Sequence, residues 1–334
     1  MHLVDRAPQI VPERLLASLV PPPMFARVSF ETFRPDLAEP TQQAAVAALQ
    51  VFGQRVTRTP EEGSRWWRRA PRPPEQRLGI YLDGGFGVGK THLLASLFHE
   101  VPAPKLFATF VELTHLVGAL GFGESVERLA THRLVCIDEF ELDDPGDTVL
   151  MSSLLTQLTE RGVHLAATSN TLPDRLGEDR FAASDFLREI QSLAAHFDVV
   201  RIDGPDYRHR GAPTSVMPLS DAQLDDHVKR ARGTVAADGF TALLEHLASV
   251  HPSRFGAMVD GIDTVVWHDV ATITDQATAL RFVVLVDRLY DRDVSVAASG
   301  LPLDQVFAAE MLTGGYRKKY FRSLSRLAAL ALRQ

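Results

Sequence analysis

Leu78-Gly79-Ile80-Tyr81-Leu82-Asp83-Gly84-Gly85-Phe86-Gly87-Val88-Gly89-Lys90-Thr91 is the stretch from which the fold is read. Residues 78–82 are a short apolar run, as a buried strand requires, and they lead straight into a glycine-rich turn. Gly84, four intervening residues and then Gly89-Lys90-Thr91 complete a phosphate-binding loop. Glycines let successive backbone N–H groups of Gly84, Gly85, Phe86, Gly87, Val88 and Gly89 converge on phosphate oxygens without a Cβ in the way. Lys90 supplies a cation for the β- and γ-phosphates of ATP, and the Thr91 hydroxyl a ligand for Mg²⁺. A helix expected from Thr91 to about His99 points its positive end at the same phosphates.

Moving outward, Leu134-Val135-Cys136-Ile137 is a second buried-strand run and ends in Asp138-Glu139. Behind a phosphate loop, an Asp at a strand tip holds Mg²⁺, and the next Glu orients and deprotonates the attacking water. Two carboxylates alone would mean little; their place 48 residues after Lys90 gives them meaning. A third strand, Val163 to Thr168, delivers Ser169-Asn170. In AAA+ ATPases a polar side chain at this tip helps hold the water, and an amide both donates and accepts. Asn170 is therefore a third catalytic candidate.

Short apolar runs at 78–82, 105–109, 134–137, 163–168 and 197–202 alternate with helical stretches, which predicts a parallel sheet with crossover helices. The fold class expected is α/β, a P-loop NTPase sheet flanked by helices with a smaller α/β C-terminal region. The boundaries expected are an extended N-terminal segment at 1–24, an ATPase core at 25–215, and a C-terminal lid or sheet-extending region at 216–334. Thr41 reads as the N-cap of a helix from about Gln42 to Phe52. In AAA+ folds the chain just before the core covers the base, so Phe33 to Gln42 is expected near adenine, with the Gln42 amide on its edge.

The 334 residues carry a net charge of −7 and a pI near 5.9, which argues against coating nucleic acid through a general positive field. Residues 55–77 reverse that sign locally, with seven arginines against three glutamates and the pair Trp66-Trp67. Arginines interleaved with aromatics can stack on bases, so a helicase-loader-like ATPase acting on nucleic acid is the alternative function; a basic surface insertion is the plainer one. Cys136 is the single cysteine, so an intrachain disulfide is excluded and a reducing compartment expected. No apolar run is long enough to span a membrane. No targeting segment is evident, and a cytoplasmic location is expected.

These residues together resemble the ZapE-like cell-division ATPases of bacteria and their mitochondrial relatives. The resemblance runs from about Phe25 through the Gly84–Thr91 loop, Ile137-Asp138-Glu139-Phe140 and Ala167-Thr168-Ser169-Asn170, with Pro173-Asp174 following. It continues in Phe186-Leu187, Asp206-Tyr207-Arg208, Arg281-Phe282, Leu285-Val286-Asp287 and Ser323-Leu324-Ser325-Arg326-Leu327. It implies a cytoplasmic ATPase recruited to the division site, acting on the tubulin-like division protein FtsZ and able to form homo-oligomers. An arginine finger that relatives carry before the Phe-Leu pair is replaced near Ala183, which leaves Arg180 and Arg188 as local substitutes and Arg326 as a lid arginine.

One pattern stands apart from the resemblance. Asp138 precedes Val163 by 25 residues, and Asp269 precedes Val294 by 25. Arg161-Gly162-Val163-His164-Leu165-Ala166-Ala167 is echoed by Arg292-Asp293-Val294-Ser295-Val296-Ala297-Ala298. No second phosphate loop precedes the echo, so a second ATP site is not expected; strands and helices beside the core are.

Overall fold

Gly79–Gly84 does form a strand, and its neighbours explain what the glycine-rich loop is held against. The computed structural model describes residues 1–8, 16–17, 19–58, 77–142, 145–176, 186–205, 218–230 and 233–331. The chain divides into two compact units, Phe25–Pro205 with Pro12–Pro21, and Asp206–Gln334 with Met1–Val11 and Pro22–Met24.

The first unit runs α1 (Pro40–Thr57), β1 (Gly79–Gly84), α2 (Lys90–Glu100), β2 (Lys105–Thr109), α3 (Phe110–Leu120), α4 (Phe122–Leu129), β3 (Leu134–Asp138), α5 (Pro145–Glu160), β4 (His164–Ser169), α6 (Leu187–Ala195) and β5 (Phe197–Ile202). Its five strands are parallel in the order β2-β3-β4-β1-β5. β1 and β3 are buried along their whole length, as central strands of a sheet covered on both faces must be. Alternation sorts their side chains: Tyr81, Ile137 and Leu165 pack with Leu113, Leu154 and Leu193 on one face. Leu82, Cys136 and Ala166 pack with Leu49, Leu93 and Leu97 on the other. Burial pushes the Cys136 thiol well above its ordinary pKa, so it is packing material and not a nucleophile.

Register then fixes the neighbourhood of the loop. Ile137 lies opposite Ala167, and Leu82 opposite Thr168, so the tips of β3, β4 and β1 stand side by side. The helix expected from Gln42 starts at Pro40, with Glu39 as N-cap. Thr41 is not the cap: its hydroxyl accepts a hydrogen bond from Asp203 N at 2.9 Å, a partner far along the chain.

The second unit runs α7 (Asp221–Arg230), β6 (Val235–Gly239), α8 (Phe240–Ser249), α9 (Phe255–Val259), β7 (Thr264–Val270), α10 (Gln276–Asp291), β8 (Ser295–Gly300) and α11 (Arg317–Ala331). The expected α/β character holds, but the sheet-extending role does not. β6-β7-β8 pair with one another in a parallel sheet of their own, around a core of Trp267, Phe240, Phe255 and Phe282.

The N-terminal segment is also not simply extended over the surface. Leu3 is fully buried in the second unit, with its N–H and that of Val4 donated to the Asp238 carboxylate at 2.9 and 3.3 Å. Leu19 is buried in the first unit and its carbonyl accepts from Phe107 N at 3.1 Å, on the outer edge of β2. Burial of their apolar side chains draws both stretches in.

Candidate active site

The tips of β1 and β4 meet Lys90 at the start of α2, and the tip of β3 meets the adjacent Thr91. Gly87 and Gly89 have φ of 66° and 96°, left-handed values that cost a side-chain-bearing residue about 1–2 kcal/mol. A Cβ on Gly84 would meet the Ile202 carbonyl oxygen at 2.1 Å, and one on Gly89 would meet the Phe33 ring at 2.5 Å. Gly84 and Gly89 are therefore without a side chain for steric reasons, which leaves backbone free to approach a phosphate there. α2 begins at Lys90 immediately after Gly89, so its N–H groups face the loop.

Lys90 is buried, and its Nζ donates to Gly84 O at 2.9 Å, Gly85 O at 2.6 Å and Asn170 Oδ1 at 2.8 Å. The expected sensor residue is thus brought onto the loop lysine from the tip of β4. Thr91 Oγ1 donates to Asp138 Oδ1 at 3.2 Å, which joins the two expected Mg²⁺ ligands. Hard oxygens on a helix start and a strand tip suit that ion when phosphates complete its shell. Glu139 leaves the strand with φ of 54°, a left-handed value. Its N–H is donated to Thr168 Oγ1 at 3.1 Å, and the following Phe140 N–H to Thr168 O at 2.7 Å.

Thr168 was not among the residues singled out from the sequence, yet its hydroxyl also donates to Asp138 Oδ1 at 2.5 Å. The available signal was its place two residues before Asn170, on the same side of a strand. Asp83 and Arg201 were missed as well. Asp83 is buried beside the loop and accepts from Arg201 Nη1 at 2.9 Å. Burial raises its carboxyl above the ordinary range, while Arg201 and then Lys90 pull it back.

Gln42 is fully buried, and both ends of its amide are taken by backbone. Oε1 accepts from Asp36 N at 2.8 Å and Nε2 donates to Asp203 O at 2.9 Å. The amide as placed is a structural brace and not a base-reading group. Phe33 packs edge-on to His92, with ring centroids 5.5 Å apart. Arg326 is buried in the second unit, ion-paired to Asp287 and lying over the Tyr290 ring at 5.2 Å. Its surroundings are those of a core ion pair on α11, not of a phosphate-reaching lid. Arg188 is exposed on α6, and Arg180 lies outside the described residues, as does most of 55–77 with Trp66-Trp67.

The sequence model of the AFG1-like ATPases matches residues 10–231 and 221–334. The chain belongs to the AFG1-like ATPase family. As such it is an ATP-hydrolysing enzyme of the P-loop, AAA+ class, which fits the loop and strand tips just described. The chain is similar to the "Cell division protein ZapE" of Escherichia coli strain K12, 28% identical over 341 residues, covering 86% of this chain and 89% of that one. It is also similar to "Lactation elevated protein 1 homolog B" of Danio rerio, 25% identical over 304 residues, covering 73% and 59%. Of solved structures, domain III of the Thermotoga maritima replication initiation protein DnaA aligns with a TM-score of 0.39 at 20% identity, over 55% of this chain and 69% of that one.

Proposed function

We propose that this AFG1-like ATPase is Mg²⁺-dependent and couples hydrolysis to remodelling of a protein partner in cell division, a tubulin-like protein of the FtsZ type. The observation that carries the chemical half is the convergence of Lys90, Asn170, Thr91, Asp138 and Glu139 at three adjacent strand tips. Lys90 is the cation for the β- and γ-phosphates. Thr91 and Asp138 hold the metal ion, which when bound neutralises phosphate charge. Glu139 takes the proton of the attacking water, and Asn170 orients that water. The division half is supported by the 28% identity to a cell division protein over most of both chains. No helix among the described residues is long and apolar enough to cross a membrane. A cytoplasmic enzyme recruited to the division site is the reading consistent with this.

Two variants test it. Lys90→Ala should abolish nucleotide binding. Glu139→Gln should bind ATP normally and lose turnover by a factor on the order of 10²–10⁴, the usual worth of a positioned base. Glu139→Gln held in ATP should then retain the division protein in a pull-down, and Lys90→Ala should not. Wild-type turnover in Glu139→Gln would remove Glu139 from the mechanism; equal capture by both variants would remove ATP from the partner interaction.

A further inference from the structure

We propose that Thr168 is a positioning residue for hydrolysis: one hydroxyl ties the Asp138 carboxylate to the Glu139 backbone and so sets the direction in which the Glu139 side chain leaves β3. A threonine hydroxyl has one proton and two lone pairs. Here the proton goes to Asp138 Oδ1 at 2.5 Å and a lone pair accepts Glu139 N–H at 3.1 Å. In an extended strand, residues 138 and 139 would point to opposite faces. The left-handed φ of 54° at Glu139 breaks that alternation, and such a conformation persists only where its surroundings over-determine it. Thr168 supplies two of the constraints, through its hydroxyl and through its carbonyl, which accepts from Phe140 N.

The second unit provides an independent copy of half of the device. β6-β7-β8 repeats the order and direction of β2-β3-β4. Thr109 lies opposite Asp138 in one sheet and Gly239 opposite His268 in the other, with a phenylalanine opening the next helix in both. Asp269 therefore corresponds to Glu139, and it too is left-handed, with φ of 57°. Its N–H is donated to Ser299 Oγ at 3.2 Å, as Glu139 N–H is to Thr168. The hydroxyl-to-N–H half belongs to the repeated fold. The hydroxyl-to-carboxylate half exists where Asp138 stands, and His268 occupies that place in the repeat.

The inference rests on Glu139 being the base, so Glu139→Gln is assayed alongside. Steady-state ATP hydrolysis and the affinity for a fluorescent ATP analogue are measured for wild type, Thr168→Val, Thr168→Ser and Ser299→Ala. Thr168→Val should lower kcat by about 10–100-fold, the scale on which a misaimed group costs rate, with nucleotide Kd within about threefold of wild type. Thr168→Ser should restore kcat to within about threefold, and Ser299→Ala should leave it unchanged. If Thr168→Val does not fold, Thr168→Ala carries the same expectations. Wild-type kcat without the hydroxyl, a Thr168→Ser as slow as Thr168→Val, or a loss confined to nucleotide affinity would each overturn the latch. Full activity in Glu139→Gln would instead overturn the base assignment beneath it.

Discussion

At Gln42 a single buried amide joins Asp36 N to Asp203 O, and its energetic role is local to those two bonds. Gln42→Ala should therefore cost stability, about 1–3 kcal/mol, because a buried donor and a buried acceptor lose their partners. It should leave the preference for ATP over GTP within about twofold of wild type. Urea denaturation and competition binding read the two effects separately; a lost preference with unchanged stability would return Gln42 to the base. The contrast with Lys90, Thr91, Asp138 and Glu139 shows why only part of the site was legible. Those residues are delivered by strand–turn units of a few residues, so their spacing is written locally. The partner of Gln42 is 161 residues away, and the bridge from Thr168 to Asp138 spans 30. Pairings of that kind are set by strand order, which composition and periodicity do not encode.

Among elements, α3 shows how little chain separates a strand from the helix after it. β2 ends at Thr109 and α3 begins at Phe110, so Thr109 closes one and caps the other. Its hydroxyl accepts from Glu112 N at 3.2 Å, while Glu112 Oε2 accepts from Thr109 N at 2.8 Å, a reciprocal capping box. Thr109→Ala should destabilise the first unit by about 0.5–2 kcal/mol, and Thr109→Ser should recover most of it. Equal denaturation midpoints for the two variants would show that the methyl and not the hydroxyl matters. The corresponding Gly239 caps α8 without a side-chain hydrogen bond, so the repeat keeps the turn and drops the cap. The strands of this repeat were legible as an echo at equal spacing, but the matching was one residue out. Counting through helices paired Asp138 with Asp269. Register shows that the path from Leu134 to its β4 partner His164 is one residue shorter than that from Thr264 to Ser295. Nor did the pattern reveal that the later strands close a sheet of their own, since alternation specifies a face and not a neighbour.

For the molecule as a whole, acid and assembly are the two levers. Burial is the main cause that lowers the pKa values of His92, His164 and His196, all in the first unit. The unfolded chain takes up these protons near pH 6.5, before the folded chain does, so the stability they contribute is full above that pH and lost as pH falls through the folded values. Asp83 and Glu100, raised mainly by burial, act in the opposite sense from the carboxylate range upward. Melting temperature should therefore fall from pH 7.5 to 5.5, and His196→Gln should flatten the slope; a slope unchanged in that variant would take His196 out of the balance. Assembly concerns the charge that builds on the γ-phosphate. Lys90 donates to the loop carbonyls, and a further arginine is worth about 10³–10⁵ in rate in related reactions. Arg326 is buried and ion-paired to Asp287, which also accepts from Arg322 at 2.9 Å, so its charge is already engaged in the second unit. Arg180, ten residues beyond Asn170 in the chain, is the arginine we propose to act on a neighbouring copy, with the exposed Arg188 the other local substitute. Specific activity should rise with protein concentration, and Arg180→Ala should bind ATP normally yet lose that rise. Mixing Arg180→Ala with Glu139→Gln should restore turnover, because an intact Glu139 on one copy can meet an intact Arg180 on the other. Activity independent of concentration, together with an unaffected Arg180→Ala, would exclude an arginine supplied in trans from that position.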